Sequence, residues 1–181
     1  MIAPLAVAGH SVAAGDQALS ATVTYLMIYA AMNLGAFAVI ITLARRTGSA
    51  EISSYSGSFH YAPGLTLAMT VFLFSLAGIP PLGGWFAKFE VFQVLATAGE
   101  PWGYALAVVA AVNSVIALFY YATIARRMWA DEAPDGDLSP VPVTPSLVSA
   151  LALCGIVTLV FGVAPQAVAR FTDVSLLALG G

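Results

Sequence analysis

Charge is what this sequence has least of: only 8% of its 181 residues are Asp, Glu, Lys or Arg, against roughly 25% in an ordinary soluble domain. Lysine is nearly missing, Lys88 being the only one, and no run of Lys or Arg longer than a pair occurs. Neutralising several phosphates needs a cluster of cations, so nucleic acid is excluded as a partner. A single cysteine, Cys154, rules out a disulfide framework or a CxxC site within the chain, and its apolar surroundings make it a packing residue. The two histidines, His10 and His60, fall in polar connectors and read as solvated loop residues. No group of His, Cys and carboxylates has metal-ligand spacing, and Gly83-Gly84 belongs to no phosphate-binding loop. No metal or redox cofactor is expected in this chain.

What the sequence has instead is apolar length. Hydrophobic residues make up 60% of the chain, and the mean hydropathy is +0.92. Uncharged stretches at 17–44, 52–87, 101–125 and 138–169 each exceed the ~20 residues that cross ~30 Å of hydrocarbon as helix. The expected fold is an all-α integral membrane protein of about four transmembrane helices.

Residues 1–9 lack the basic flank of a secretory signal and are too few to span. They read as the tail of a preceding span, joined by a polar connector, 10–19, to a first full span at 20–43 that ends on Arg45-Arg46. The connector 47–61, with Glu51 and His60, leads to Pro63, which suits a first helical turn. The segment 63–98 then holds two helical halves around PPLGG. Pro80 and Pro81 remove two backbone donors while Gly83 and Gly84 loosen the chain, so the second span is expected to be discontinuous from Pro80 to Gly84. A third span, 102–125, ends on Arg126-Arg127. An acidic, Pro-rich loop, 131–145, precedes the last, 146–169, which closes on Arg170, and 171–181 form a tail.

Positive charge favours the cytoplasmic side. Both arginine pairs reach that side only if the broken segment crosses once, which leaves the carboxyl terminus outside. Its ~31 helical residues would measure ~46 Å, more than the hydrocarbon thickness, so tilt or overlap at the break is required.

A cation inside the bilayer is costly, and intramembrane lysines are buried in protein, solvated by internal water, or functional. Lys88 follows the last glycine of the break by four residues, where unwound backbone presents carbonyls and amides to water, ions or a protonated side chain. Low-dielectric surroundings disfavour an ammonium, which suits a lysine to loading and releasing a proton. The competing reading is a lysine snorkelling to a nearby interface. Glu90 lies ~200° round the helix and should not face it, whereas Val91, Phe92 and Leu95 share its face. Asn33, Ser75, Asn113 and Ser114 are candidates for a water path, although such residues also serve as interhelical glue. Tyr25, Tyr29, Tyr120 and Tyr121 read as interfacial anchors.

These residues carry a resemblance. SLAGIPPLGGWFAKFEVF at 75–92, supported by YLMIYAAMNLGAFAVI at 25–40 and SVIALFYYATIARRMW at 114–129, resembles the antiporter-like membrane subunits of respiratory complex I, above all subunit N, the bacterial counterpart of mitochondrial subunit 2. The resemblance implies a proton-translocating role in a bacterial plasma membrane, with Lys88 as the lysine of a discontinuous helix in the outer proton half-channel. It implies other membrane subunits of complex I and the lipid bilayer as partners, and NADH, flavin, iron-sulfur clusters and quinone in partner subunits. The chain resembles only the last four spans of such a subunit; the family's essential glutamate and remaining lysines have no counterpart here. Trp85 stands where the family usually has phenylalanine. Two alternatives stay open: a subunit of a multisubunit cation/proton antiporter, and a truncated chain with a structural role.

Overall fold

The computed structural model describes residues 12–97, 101–134 and 136–164. Regular structure among them is entirely helical: α1 (Val12–Thr47), α2 (Ser58–Tyr61), α3 (Pro63–Ala77), α4 (Gly83–Thr97), α5 (Pro101–Ala130) and α6 (Pro145–Val163), with a short 3-10 turn at Ile52–Tyr55. Among the described residues three stretches are long and apolar enough to cross a membrane, Ala18–Thr47, Pro101–Ala130 and Pro145–Val163, and Pro63–Ala77 is a shorter apolar helix.

The boundaries differ from expectation at several points. Residues 12–19 are helical and open α1: Asp16 and Gln17 lower the hydropathy there, but the surrounding alanines favour helix, and polarity alone does not end one. The connector 47–61 contains the 3-10 turn and α2. Helix α5 continues past Arg126-Arg127 to Ala130. The break runs from Gly78 to Leu82, two residues earlier than the Pro/Gly cluster suggested. Gly78, at φ 93°, ends α3; Ile79 N–H bonds the Phe74 carbonyl at 3.0 Å and Gly78 N–H that of Ser75 at 2.9 Å. These are the paired bonds of a left-handed helix cap, a conformation open to glycine because it has no Cβ. Pro80 and Pro81 occupy the turn, whereas Gly83 and Gly84 belong to the first turn of α4. The expected tail at 1–9, His10, the end of the last span, Arg170 and the 171–181 tail lie outside the described residues.

Contacts along α1 fix the course of the broken pair. Ala36, Val39 and Leu43 of α1 share one buried cluster with Leu65, Met69 and Phe72 of α3. Further back along α1, Ile28 and Met32 pack with Ala87 of α4. Helix α5 runs antiparallel to both: Trp129 Nε1 donates to Thr70 Oγ1 at 2.8 Å, while Gly103 sits against the Leu95 carbonyl. The two halves therefore continue in one direction, overlapping where Gly84 meets Ser75. Helix α6 covers the break, with Gly162 on the Pro81 carbonyl and Thr158 and Phe161 beside Gly83.

The same course gathers both arginine pairs at one end. The Arg46 guanidinium lies 3.8 Å above the Tyr61 ring and pairs with Asp137 at 3.3 Å. Gly57 N–H bonds the Arg127 carbonyl at 3.0 Å, and Ser56 Oγ donates to Asp131 at 3.4 Å. The Ser139 hydroxyl and amide, and after them Arg46, hold the Asp137 carboxyl below its ordinary range.

Candidate functional site

Gly78 leaves the carbonyl of Ala77, the last residue of α3, without a helical successor to bond it. Such carbonyls carry the negative end of the helix dipole and attract cations. Lys88 supplies one: its Nζ donates to Ala77 O at 2.9 Å. Its stem lies along Gly78, where a Cβ would stand 3.0 Å from Lys88 Cδ. One glycine thus both ends α3 and makes room for the lysine.

Lys88 is half-buried and borders a cleft of about 320 Å³ between α1, α4 and α5. Val91 and Phe92 line it from the lysine's own face, whereas Glu90 does not. Opposite, α5 contributes Asn113, Ser114 and Tyr121, and α1 contributes Tyr25 and Tyr29, whose rings stack at 5.8 Å. The arrangement offers a cation several neutral hydroxyls and an amide, a lining able to hold water and pass a proton without a second fixed charge.

Of the four residues expected on a water path, the structure brings Asn113 and Ser114 to the lysine's cleft and not Asn33 or Ser75. Asn33 Nδ2 donates to the Tyr29 carbonyl one turn back at 2.8 Å. Ser75 is fully buried and ties the two halves together, its Oγ donating to Met32 Sδ at 2.7 Å and accepting from Gly84 N–H at 3.0 Å. Ser75→Ala leaves that amide buried without its partner, so stability should fall by about 1–3 kcal/mol. A lowered unfolding midpoint of the purified protein in detergent checks this, and an unchanged midpoint contradicts it.

The tyrosines were the residues that sequence reasoning missed. Tyr25, Tyr29 and Tyr121 line the cleft beside Lys88 instead of standing only at a membrane interface. The available signal was the four-residue spacing of Tyr25 and Tyr29, which places both on one helix face.

An interrupted helix carrying a lysine into a polar cleft, within a bundle of long apolar helices, defines a multi-span membrane protein of the broken-helix type. The chain belongs to the NADH:quinone oxidoreductase/Mrp antiporter transmembrane family, whose description matches residues 3–114. It is 40% identical over 156 residues to NADH-quinone oxidoreductase subunit N 2 of Sorangium cellulosum, covering 86% of this chain and 30% of that protein. Subunit N 1 of Koribacter versatilis is 43% identical over 159 residues, 87% of this chain and 30% of the relative. Subunit N of Chloroflexus aggregans is 37% identical over 174 residues, 96% and 35% respectively. The chain spans about a third of the length of these curated relatives.

Proposed function

We propose that this chain is part of the proton-translocating membrane subunit of a bacterial NADH:quinone oxidoreductase, corresponding to its carboxyl-terminal spans, and that Lys88 carries a proton within it. The observation behind this reading is the Lys88 Nζ bond to Ala77 O at the mouth of a polar cleft. Charged, the ammonium is held by the α3 carbonyl end. Once it gives up its proton to water in the cleft, that attraction weakens and Nζ is free to turn toward Asn113, Ser114 or the tyrosines before recharging. NADH, flavin, iron-sulfur clusters and quinone belong to partner subunits, whose redox energy drives the cycle. The rest of the proton path lies in parts of the subunit beyond this chain.

The family description also names the Mrp antiporter, and a cation/proton antiporter subunit is the second reading. The names of the three relatives above favour the first. Lys88→Ala in the assembled complex tests it: proton pumping and coupled quinone reduction should both fall, and normal pumping would refute the role.

The arginine-rich end is assigned to the cytoplasm of a bacterial plasma membrane and the carboxyl terminus to the outside. In a Cys154→Ser background, single cysteines at Ser49 and Trp102 should react with an impermeant maleimide from opposite faces. Reaction of both from one face would overturn the single crossing.

A further inference from the structure

Helix α6 packs on α1 and, at the break, on α4, but at the arginine end it stands off from the start of α3. The gap is an apolar groove of about 510 Å³, with Leu65 and Ala68 of α3 on one wall and Val148, Leu151 and Ala152 of α6 on the other. That size falls within the ~300–1,000 Å³ common for ligand pockets. Val141 forms part of its rim and also borders a second hollow of about 300 Å³, where Arg45, Arg46, Thr42 and Thr144 stand beside Pro142 and Leu147. The two hollows thus share one residue, and the second adds two guanidinium groups to a mixed lining.

The two arginines differ in what they are free to do. Arg46 is held by Asp137 and stacked on Tyr61, so it shapes the wall. Arg45 is exposed, and among the described residues no carboxylate pairs with it. Thr144 is the residue before the first turn of α6 and its carbonyl takes the Leu147 and Val148 amides, so the positive dipole end of the helix lies at the hollow that Arg45 borders. Basic pockets between transmembrane helices at the headgroup level are suited to anionic lipid headgroups. The groove next to this one reaches about a turn deeper, toward Ala68 and Ala152, where an acyl chain belongs. A free phosphate would satisfy the hollow and leave the groove unexplained. A neutral apolar ligand would do the reverse.

We propose that this end of the bundle holds one anionic phospholipid, its phosphate at Arg45 and Thr144 and one acyl chain in the groove between α3 and α6. The site is independent of the Lys88 cleft and of the proton reading.

Native mass spectrometry tests it on the full chain, purified in detergent, stripped of lipid, and supplied with phosphatidylglycerol, phosphatidylcholine or inorganic phosphate. Phosphatidylglycerol should be retained in preference to phosphatidylcholine, and phosphate alone should give no adduct. Arg45→Gln should reduce phosphatidylglycerol retention about fivefold, the effect of one surface cation on an anionic lipid, while Arg126→Gln, at the same end but outside the hollow, should leave it unchanged. Ala152→Trp should fill the groove and abolish retention, with circular dichroism reporting intact helix. Equal retention of the two lipids, indifference to Arg45→Gln, or an unchanged adduct in a folded Ala152→Trp variant would overturn the site. So would a lipid-free groove, covered by other protein, in the intact complex.

Discussion

Arginine in place of Lys88 should stop proton transfer while leaving the helix break standing. The guanidinium keeps the positive charge and has donors to spare for the Ala77 carbonyl, so the contact that joins α4 to the end of α3 is preserved. What arginine does not do is release its proton, because it stays charged throughout the accessible pH range. If Lys88 only ties the two halves together, Lys88→Arg assembles and works like the original. If Lys88 exchanges a proton, Lys88→Arg assembles and fails. Coupled proton transfer should drop about a hundredfold, the lower end of what a positioned proton-transfer group contributes. Lys88→Met supplies the complementary case, removing charge and bond together. It should lose the activity and also loosen the break, seen as faster proteolysis between Gly78 and Leu82.

The second large effect is structural and lies in two glycines that carry no chemistry. A Cβ on Gly84 would run into the Ser75 carbonyl, and one on Gly162 into the carbonyl of Pro81. In both cases the obstacle is backbone, which has no rotamer to turn aside. Alanine at either position must push apart the overlapping halves or lift α6 from the break, at about 3 kcal/mol, the upper part of the usual range for overpacking. Spread over a protein of this size, that is a fall in Tm of roughly 6–12 °C. Gly155 is the internal control: it lies in the same helix as Gly162, and a Cβ there would meet open space, so Gly155→Ala should be neutral or slightly stabilising through helix propensity. Equal behaviour of Gly155→Ala and Gly162→Ala would remove the packing argument.

Much of this was legible from composition, because a chain with so few charges and such long apolar stretches has one solvent open to it. The helix interruption was legible too, but its mechanism was not. Pro80 and Pro81 drew attention to the turn, whereas the residue that ends α3 is Gly78, hidden in the apolar run before them. Gly83 and Gly84 looked like part of the unwound chain. They are helical, and their lack of a side chain lets backbone approach backbone, a requirement visible only once Ser75 and Thr158 are in place.

The site divides in the same way. Lys88 stood out because a cation in apolar sequence is costly. Asn113 and Ser114 reach its cleft because α5 returns antiparallel along the broken pair, whereas Asn33 bonds the Tyr29 carbonyl on its own helix and Ser75 is enclosed between Met32 and Gly84. Nothing in the spacing of four isolated polar residues separates these cases. Tyr25, Tyr29 and Tyr121 were assigned to the interface by residue type, whereas their place in the bundle is set by which helix faces which.

The most direct measurement of the central claim is the rate of proton translocation driven by quinone reduction, taken on the complete complex in proteoliposomes with the original subunit and with Lys88→Arg. A rate lowered about a hundredfold, in a variant that assembles normally, is the predicted result. A rate equal to the original with arginine at position 88 would contradict the role of Lys88 as a proton carrier.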